Sequence, residues 1–194
     1  MELTNETAQL LQPERSVVLL WDIQNILVNN IFNKEEFMEK NLKIIKVARE
    51  KNIPRFFSKI TPLPERFESP VRKILFKNRF ASLKQVANGF DLAISTVEND
   101  IVIPKHTPSM FIGTHFEQML RNAGLTTIII TGIATEIGVE STARDASNRG
   151  FFPFIVSDAV SSFNKEAHYR SLENMKSSSI VLSSSQLIDT WRRI

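Results

Sequence analysis

Short apolar runs alternate with amphipathic stretches along most of the chain. Val17 to Trp21 is continuously apolar and stops at Asp22, which predicts a buried strand over Ser16–Trp21. Asn33 followed by Glu36 is a helix-start signal, and Phe37, Ile44, Ile45 and Ala48 then recur at helical spacing through about Lys51. Ile53–Ser58 reads as a second strand, with Pro54 tolerable near its start. Pro62, Pro64 and Pro70 break the pattern after Lys59, where the one readable element is a helix over Ala81–Asn88 closed by Gly89. Order then returns. The pattern predicts strands at Ile101–Lys105, Thr126–Thr131, Phe151–Ser157 and Ser179–Leu182. Between them it predicts a helix opened by a Thr114/Glu117 capping box and ended by Gly124, then helices over Glu136–Arg149, Asn164–Lys176 and Ser185–Arg193.

Strands alternating with helices imply a three-layer α/β/α sandwich around a mainly parallel, six-stranded, Rossmann-like sheet. In such folds ligands bind at the carboxyl ends of the strands. That rule selects Asp22, Lys105 and the turn from Gly132 to Gly138.

Composition narrows the field. With 194 residues, 42% of them hydrophobic, the chain reads as one domain, residues 1–194, with a sizeable core. It has no cysteine, which excludes disulfides, thiolate metal sites and a cysteine nucleophile. No apolar run is long enough to span a bilayer, and Met1 to Ser16 lacks the plan of a signal peptide, so the expectation is a cytoplasmic protein without membrane contact. Net charge is only +3, yet Lys40 to Lys84 carries 13 Lys or Arg against 3 Asp or Glu. That segment reads either as an anion or nucleic-acid surface or as solvated helix faces with acidic partners elsewhere. No binding motif or aromatic interleaving accompanies the charge, so no nucleic acid is expected.

Several chemistries fail on motif grounds. There is no P-loop, no G-x-G-x-x-G and no G-x-S-x-G elbow, and Asp22-Ile-Gln-Asn25 lacks the second Asp of aspartyl-phosphate phosphatases. His106, His115 and His168 show no metal spacing and read as surface or helix-face residues.

Three segments carry a positive signal. They are Val17-Val-Leu-Leu-Trp-Asp22-Ile-Gln24-Asn25; Ile103-Pro-Lys105-His-Thr-Pro-Ser109-Met-Phe111-Ile-Gly113-Thr114; and Thr131-Gly132-Ile-Ala134-Thr135-Glu-Ile-Gly138-Val-Glu140-Ser141-Thr142-Ala143-Arg144-Asp145-Ala146. In order and spacing they resemble the isochorismatase-like hydrolase superfamily, which includes nicotinamidases, carbamoylsarcosine and ureidoacrylate amidohydrolases, and isochorismatases. The resemblance implies an Asp–Lys–Cys active site, with Asp22 at the acid/base position, Lys105 at the lysine position and Gly138 where most relatives carry the nucleophile. It implies a non-proline cis peptide at Ile133–Ala134, an oxyanion hole from the Ala134 and Gly138 N–H groups, and Gln24 and Phe111 on the pocket wall. It further implies a small-molecule substrate and a homo-oligomer, dimer or tetramer.

Glycine cannot supply a thiolate, so the amidase mechanism is in doubt. The sequence resembles the cysteine-less subset that contains the true isochorismatases, which hydrolyse a vinyl ether by protonation from the aspartic acid. The expected function is hydrolysis of a small, anionic molecule with Asp22 as acid/base, by vinyl-ether protonation or direct water attack. The alternative is an inactive family member that binds a ligand or partner. Zinc-binding relatives use D-x-H…H after the second strand. Ser58 to Arg72 has neither Asp nor His, so no metal and no cofactor are expected. Each residue also has a structural reading: Asp22 as a cap after a strand, Lys105 as a solvated charge, Gln24 and Phe111 as packing, Arg144 and Asp145 as structural charges paired within the helix or across a subunit interface. Ser141 and Thr135 are weaker candidate nucleophiles, with no histidine near a strand end to activate them.

Overall fold

The computed structural model describes residues 4–74 and 85–194. Six strands form one wholly parallel sheet: β1 (Ser16–Trp21), β2 (Arg55–Ile60), β3 (Asp100–Lys105), β4 (Thr127–Ile133), β5 (Phe152–Ser161) and β6 (Ile180–Leu182). Their order is β3-β2-β1-β4-β5-β6, so β1 lies in the interior between β2 and β4. The α-helices with both ends among the described residues are α1 (Asn5–Leu10), α2 (Asn25–Val28), α3 (Lys34–Glu50), α4 (Phe116–Asn122), α5 (Glu140–Asn148), α6 (Lys165–Met175) and α7 (Ser184–Arg193).

Strand periodicity sorts the core into two layers. Val18 and Leu20 of β1 join Phe57, Ile129 and Phe154 under α3 (Phe37, Ile44, Ile45, Ala48) and α7 (Leu187, Ile188, Trp191). Val17, Leu19 and Trp21 join Phe56, Ile128, Ile130 and Ile155 under α4 (Phe116, Leu120), α5 (Ala143, Ala146) and α6 (Leu172, Met175). All six residues of β1 are buried, as its unbroken apolar run requires. The three-layer α/β/α architecture expected from the sequence is therefore the one observed.

Four cations of the basic stretch meet acids elsewhere in the fold. Lys40 reaches Asp158 at 4.0 Å, Arg49 and Arg55 both hold Asp100, and Lys59 meets Asp91.

Local details differ from expectation where tertiary contacts take over. Asn33 precedes α3 but makes no side-chain cap; its Oδ1 accepts from Ser161 Oγ at 2.5 Å instead. The Thr114/Glu117 box does not form: α4 starts at Phe116, and the Thr114 hydroxyl donates to the Met110 carbonyl. Of the helix expected over Ala81–Asn88, the part through Lys84 lies outside the described residues, and Gln85 to Asn88 is loop and turn. The helix expected from Glu136 is split. Thr135–Val139 is a π turn, in which the Val139 N–H reaches back five residues to the Ala134 carbonyl at 3.3 Å, and α5 begins only at Glu140. β5 runs on to Ser161 because a bulge lets Val160 and Ser161 rejoin Gly132 and Ile133 of β4.

Candidate active site

Chain reversal at the end of β1 fixes the first functional group. Asp22 leaves the strand at φ 45°, a region that non-glycine residues enter rarely and that clusters at functional positions. Its side chain is 1% exposed. Ser58, at the same end of β2, holds it twice: the Asp22 N–H donates to Ser58 Oγ at 2.9 Å, and that hydroxyl donates to Asp22 Oδ1 at 2.5 Å. Lys105 closes β3, two strands away. Its Nζ donates to Asp22 Oδ2 at 2.6 Å and to the Thr107 carbonyl at 3.3 Å. The ammonium also lies 4.0 Å from the ring centroid of Trp21, within cation–π range.

The third element is the turn after β4. Gly132, at φ 114°, pairs with Trp21 so closely that a Cβ there would stand 2.0 Å from the Trp21 carbonyl oxygen. The Ile133–Ala134 peptide is cis, as the resemblance implied. Gly138 follows on the π turn and faces the Trp21 indole. A Cβ added there would meet Nε1 at 2.0 Å, Cε2 at 2.1 Å and Cζ2 at 2.4 Å. The position where most relatives carry a nucleophile is thus bare in sequence and filled in space.

These groups open on one cleft of about 610 Å³, counting its mouth. Its wall is largely apolar, with Leu27, Ile60, Ile133, Ile137 and Phe163, and it carries Arg72, His106 and Thr107 beside Lys105. Asp22, Lys105, Gly138, Ile133 and Ala134 all lie on it.

Gln24 and Phe111 do not. Gln24 is fully buried, and its amide ties neighbouring backbone: Nε2 donates to the carbonyls of Ile60 (3.1 Å) and Phe90 (2.6 Å), and Oε1 accepts from the Ile60 N–H (2.8 Å). Phe111 packs against Phe116, Phe151 and the Arg149 guanidinium on the α4 side. Arg144 pairs with Glu140 and Asp145 with Arg149, each one turn along the helix. His168 is buried rather than at the surface, and its Nδ1 lies 2.8 Å from Thr135 Oγ1. That hydroxyl also donates to the Ser161 carbonyl, and neither residue reaches the cleft, so a histidine does meet Thr135 but in a structural bond.

Sequence reasoning missed Ser58, Arg72, His106 and the part Trp21 plays. Ser58 was within reach, since β1–β2 register places it beside the end of β1. Arg72 was hidden in the basic stretch. Its guanidinium bonds the His106 carbonyl and lies 3.5 Å from Glu68.

Electrostatics set the pair's character. Burial pushes the Asp22 carboxyl above its ordinary value of 3.8, against the pull of Lys105, the Ser58 hydroxyl and Arg72. Burial likewise pushes the Lys105 ammonium below 10.5, with Asp22 holding it up and Arg72 adding to the push down. Carboxylate with ammonium, or carboxylic acid with amine, hold the same number of protons, and burial narrows the gap between the two states. Such a pair can give a proton to a molecule in the cleft or take one from it. Among the described residues no three His, Asp or Glu side chains converge into a candidate metal centre, and no helix is long and apolar enough to cross a membrane.

Comparison with known proteins places this geometry. Enterobactin synthase component B of Escherichia coli strain K12 is 28% identical over 175 residues, which take in 87% of this chain and 60% of that protein. The uncharacterized isochorismatase family protein YwoC of Bacillus subtilis is 40% identical over 79 residues, 41% of this chain and 42% of its own. The chain therefore spans about half the length of the curated relatives it matches. A cysteine hydrolase from Pseudomonas syringae pv. phaseolicola 1448A superposes with a TM-score of 0.83 over 93% of this chain and 94% of that one, at 18% identity. Nicotinamidase PncA of Bacillus subtilis does so at 0.72 over 87% and 99%, at 21% identity. Identities this low speak to the fold alone. The isochorismatase domain model, by contrast, matches residues 16–186, from the start of β1 into α7 and across every strand of the sheet, and the chain belongs to that family.

Proposed function

We propose that this chain hydrolyses a small anionic molecule by proton transfer through Asp22, with no covalent attack by a side chain. The observation that carries this reading is the Trp21 indole over Gly138, which leaves no room for a nucleophilic side chain at that position. Asp22 and Lys105 supply a buried acid/base pair at 2.6 Å. Lys105 and Arg72 outnumber Asp22 among the charged side chains that line the cleft, which favours an anion.

For a vinyl ether the steps balance without any further group. The Asp22 carboxyl gives its proton to the enol carbon, leaving an oxocarbenium ion. Water adds to that ion and returns a proton to the Asp22 carboxylate. The resulting hemiketal then breaks into a carbonyl compound and an alcohol. The raised Asp22 pKa favours the first step, because the acid must hold its proton until substrate is present.

The family's name makes isochorismate the first compound to try. The test is product formation by purified protein with Asp22→Asn in parallel, folding checked by circular dichroism. Turnover by the wild type, lost in the folded variant, is the expected result. Turnover unaffected by Asp22→Asn would refute the assignment of Asp22. Absence of turnover, with isochorismate still bound, would turn the reading toward an inactive family member that binds a ligand.

A further inference from the structure

Trp21 carries a donor that the fold leaves unused. Its side chain is 1% exposed, deep enough that an indole N–H normally finds an acceptor. Trp191 obeys that rule, with Nε1 donating to the Leu11 carbonyl at 3.0 Å. Among the described residues Trp21 Nε1 makes no hydrogen bond. The indole N–H is thus an unpaired donor on a residue that lines the cleft together with Gly138. It stands over the Gly138 α-carbon, in the volume that a side chain at that position would take.

Charge around this N–H selects what it binds. The Lys105 ammonium is 4.0 Å from the ring centroid, and Arg72 is on the same wall. A neutral acceptor would satisfy the N–H, but an anion also gains from Lys105, which Asp22 shares, and from Arg72, which Glu68 meets at 3.5 Å.

We propose that the Trp21 indole N–H, above Gly138, is a binding donor for one carboxylate oxygen of the substrate, with Lys105 as the counter-charge. The residue that denies space to a nucleophile thereby becomes the anchor of the substrate. This deepens the hydrolase reading and rests on it for one consequence. A carboxylate bound there adds negative charge beside Asp22, which disfavours the carboxylate form and keeps the acid protonated until the proton is needed. Substrate binding itself then arms the acid.

The test reads binding without turnover. Full-length protein labelled with 15N at the indole nitrogens gives two indole N–H signals, from Trp21 and Trp191, assigned with Trp21→Phe. Benzoate is the probe and benzamide its neutral counterpart. Benzoate should move the Trp21 signal and leave that of Trp191 in place, and benzamide should bind at least several-fold more weakly. Trp21→Phe, which keeps a ring against Lys105 and loses the N–H, should weaken benzoate by about tenfold. A Trp21 signal unmoved at tens of millimolar benzoate would overturn the proposal, and so would equal affinity of benzoate and benzamide. The wild-type titration stands even if Trp21→Phe fails to fold. A benzoate shift without hydrolysis would sink the hydrolase reading and leave the anchor standing; hydrolysis without the shift would do the reverse.

Discussion

Adding a single methyl group at Gly138 should destabilise the protein, and the reason is local to one side chain. The new Cβ would stand 2.0 Å from Trp21 Nε1 and 2.1 Å from Cε2, where contact atoms normally keep about 3.5–4.0 Å. The indole has little room to retreat, since it is 1% exposed and backed by Lys105. Overpacking of a buried site typically costs about 1–3 kcal/mol, and an overlap this deep belongs at the upper end, about 3 kcal/mol. For a chain of this length that corresponds to a fall in melting temperature of roughly 6–12 °C. Backbone conformation is not the cause, because Gly138 lies outside the left-handed region. With the indole gone, alanine there should be neutral or stabilising by roughly 0.4–1 kcal/mol. Thermal and urea unfolding of the wild type, Gly138→Ala, Trp21→Leu and the double variant form a complete cycle. The two changes should couple by about 3–4 kcal/mol, with the alanine penalty absent beside leucine. A Gly138→Ala melting temperature within about 2 °C of wild type would refute this reasoning, as would an equal penalty in both backgrounds.

Two further predictions concern the scaffold. Gln24→Leu removes three hydrogen bonds, those to the Ile60 N–H and to the Ile60 and Phe90 carbonyls, so it should cost about 2–4 kcal/mol and speed hydrogen exchange at the Ile60 amide; unchanged exchange there would contradict the assigned role. His168 is held neutral by burial, which lowers its pKa below 6.5. Its contribution is therefore present above pH 6.5 and is lost as pH falls through the lowered folded value, so the wild type should lose more stability than His168→Gln between pH 7.5 and 5.5 in urea titrations, and equal losses would refute it.

What the sequence made legible follows from periodicity and what it hid follows from tertiary contact. The apolar run of Val17–Trp21 announces a strand buried on both faces because only such a strand needs every position apolar. The strand-end rule then brought Asp22, Lys105 and Gly138 to one cleft, although 83 residues separate the first two. Gln24 could not be separated from a wall residue by its position, since the acceptors it satisfies belong to a distant loop and to β2. Asn33 and Thr114 carried cap chemistry but found stronger partners in Ser161 and Met110. Trp21 read as one more apolar residue in a strand. Its second role depends on how close the turn at Gly138 comes to the indole, a distance that no local pattern encodes.

The strand order has a consequence for how the molecule is made. β1 pairs with β2 on one side and with β4 on the other, and β4 begins only at Thr127. The helices that cover Val17, Leu19 and Trp21 also come from the later part of the chain. A nascent chain that has emerged as far as Lys105 thus holds both members of the buried Asp22–Lys105 pair. It also presents β1 with one bare edge and one bare apolar face. An uncharged segment with that composition is a template for pairing with another chain. The interior place of β1, which buries the pair so well in the finished protein, leaves the half-synthesised one with an edge open to pairing with another chain until β4 arrives.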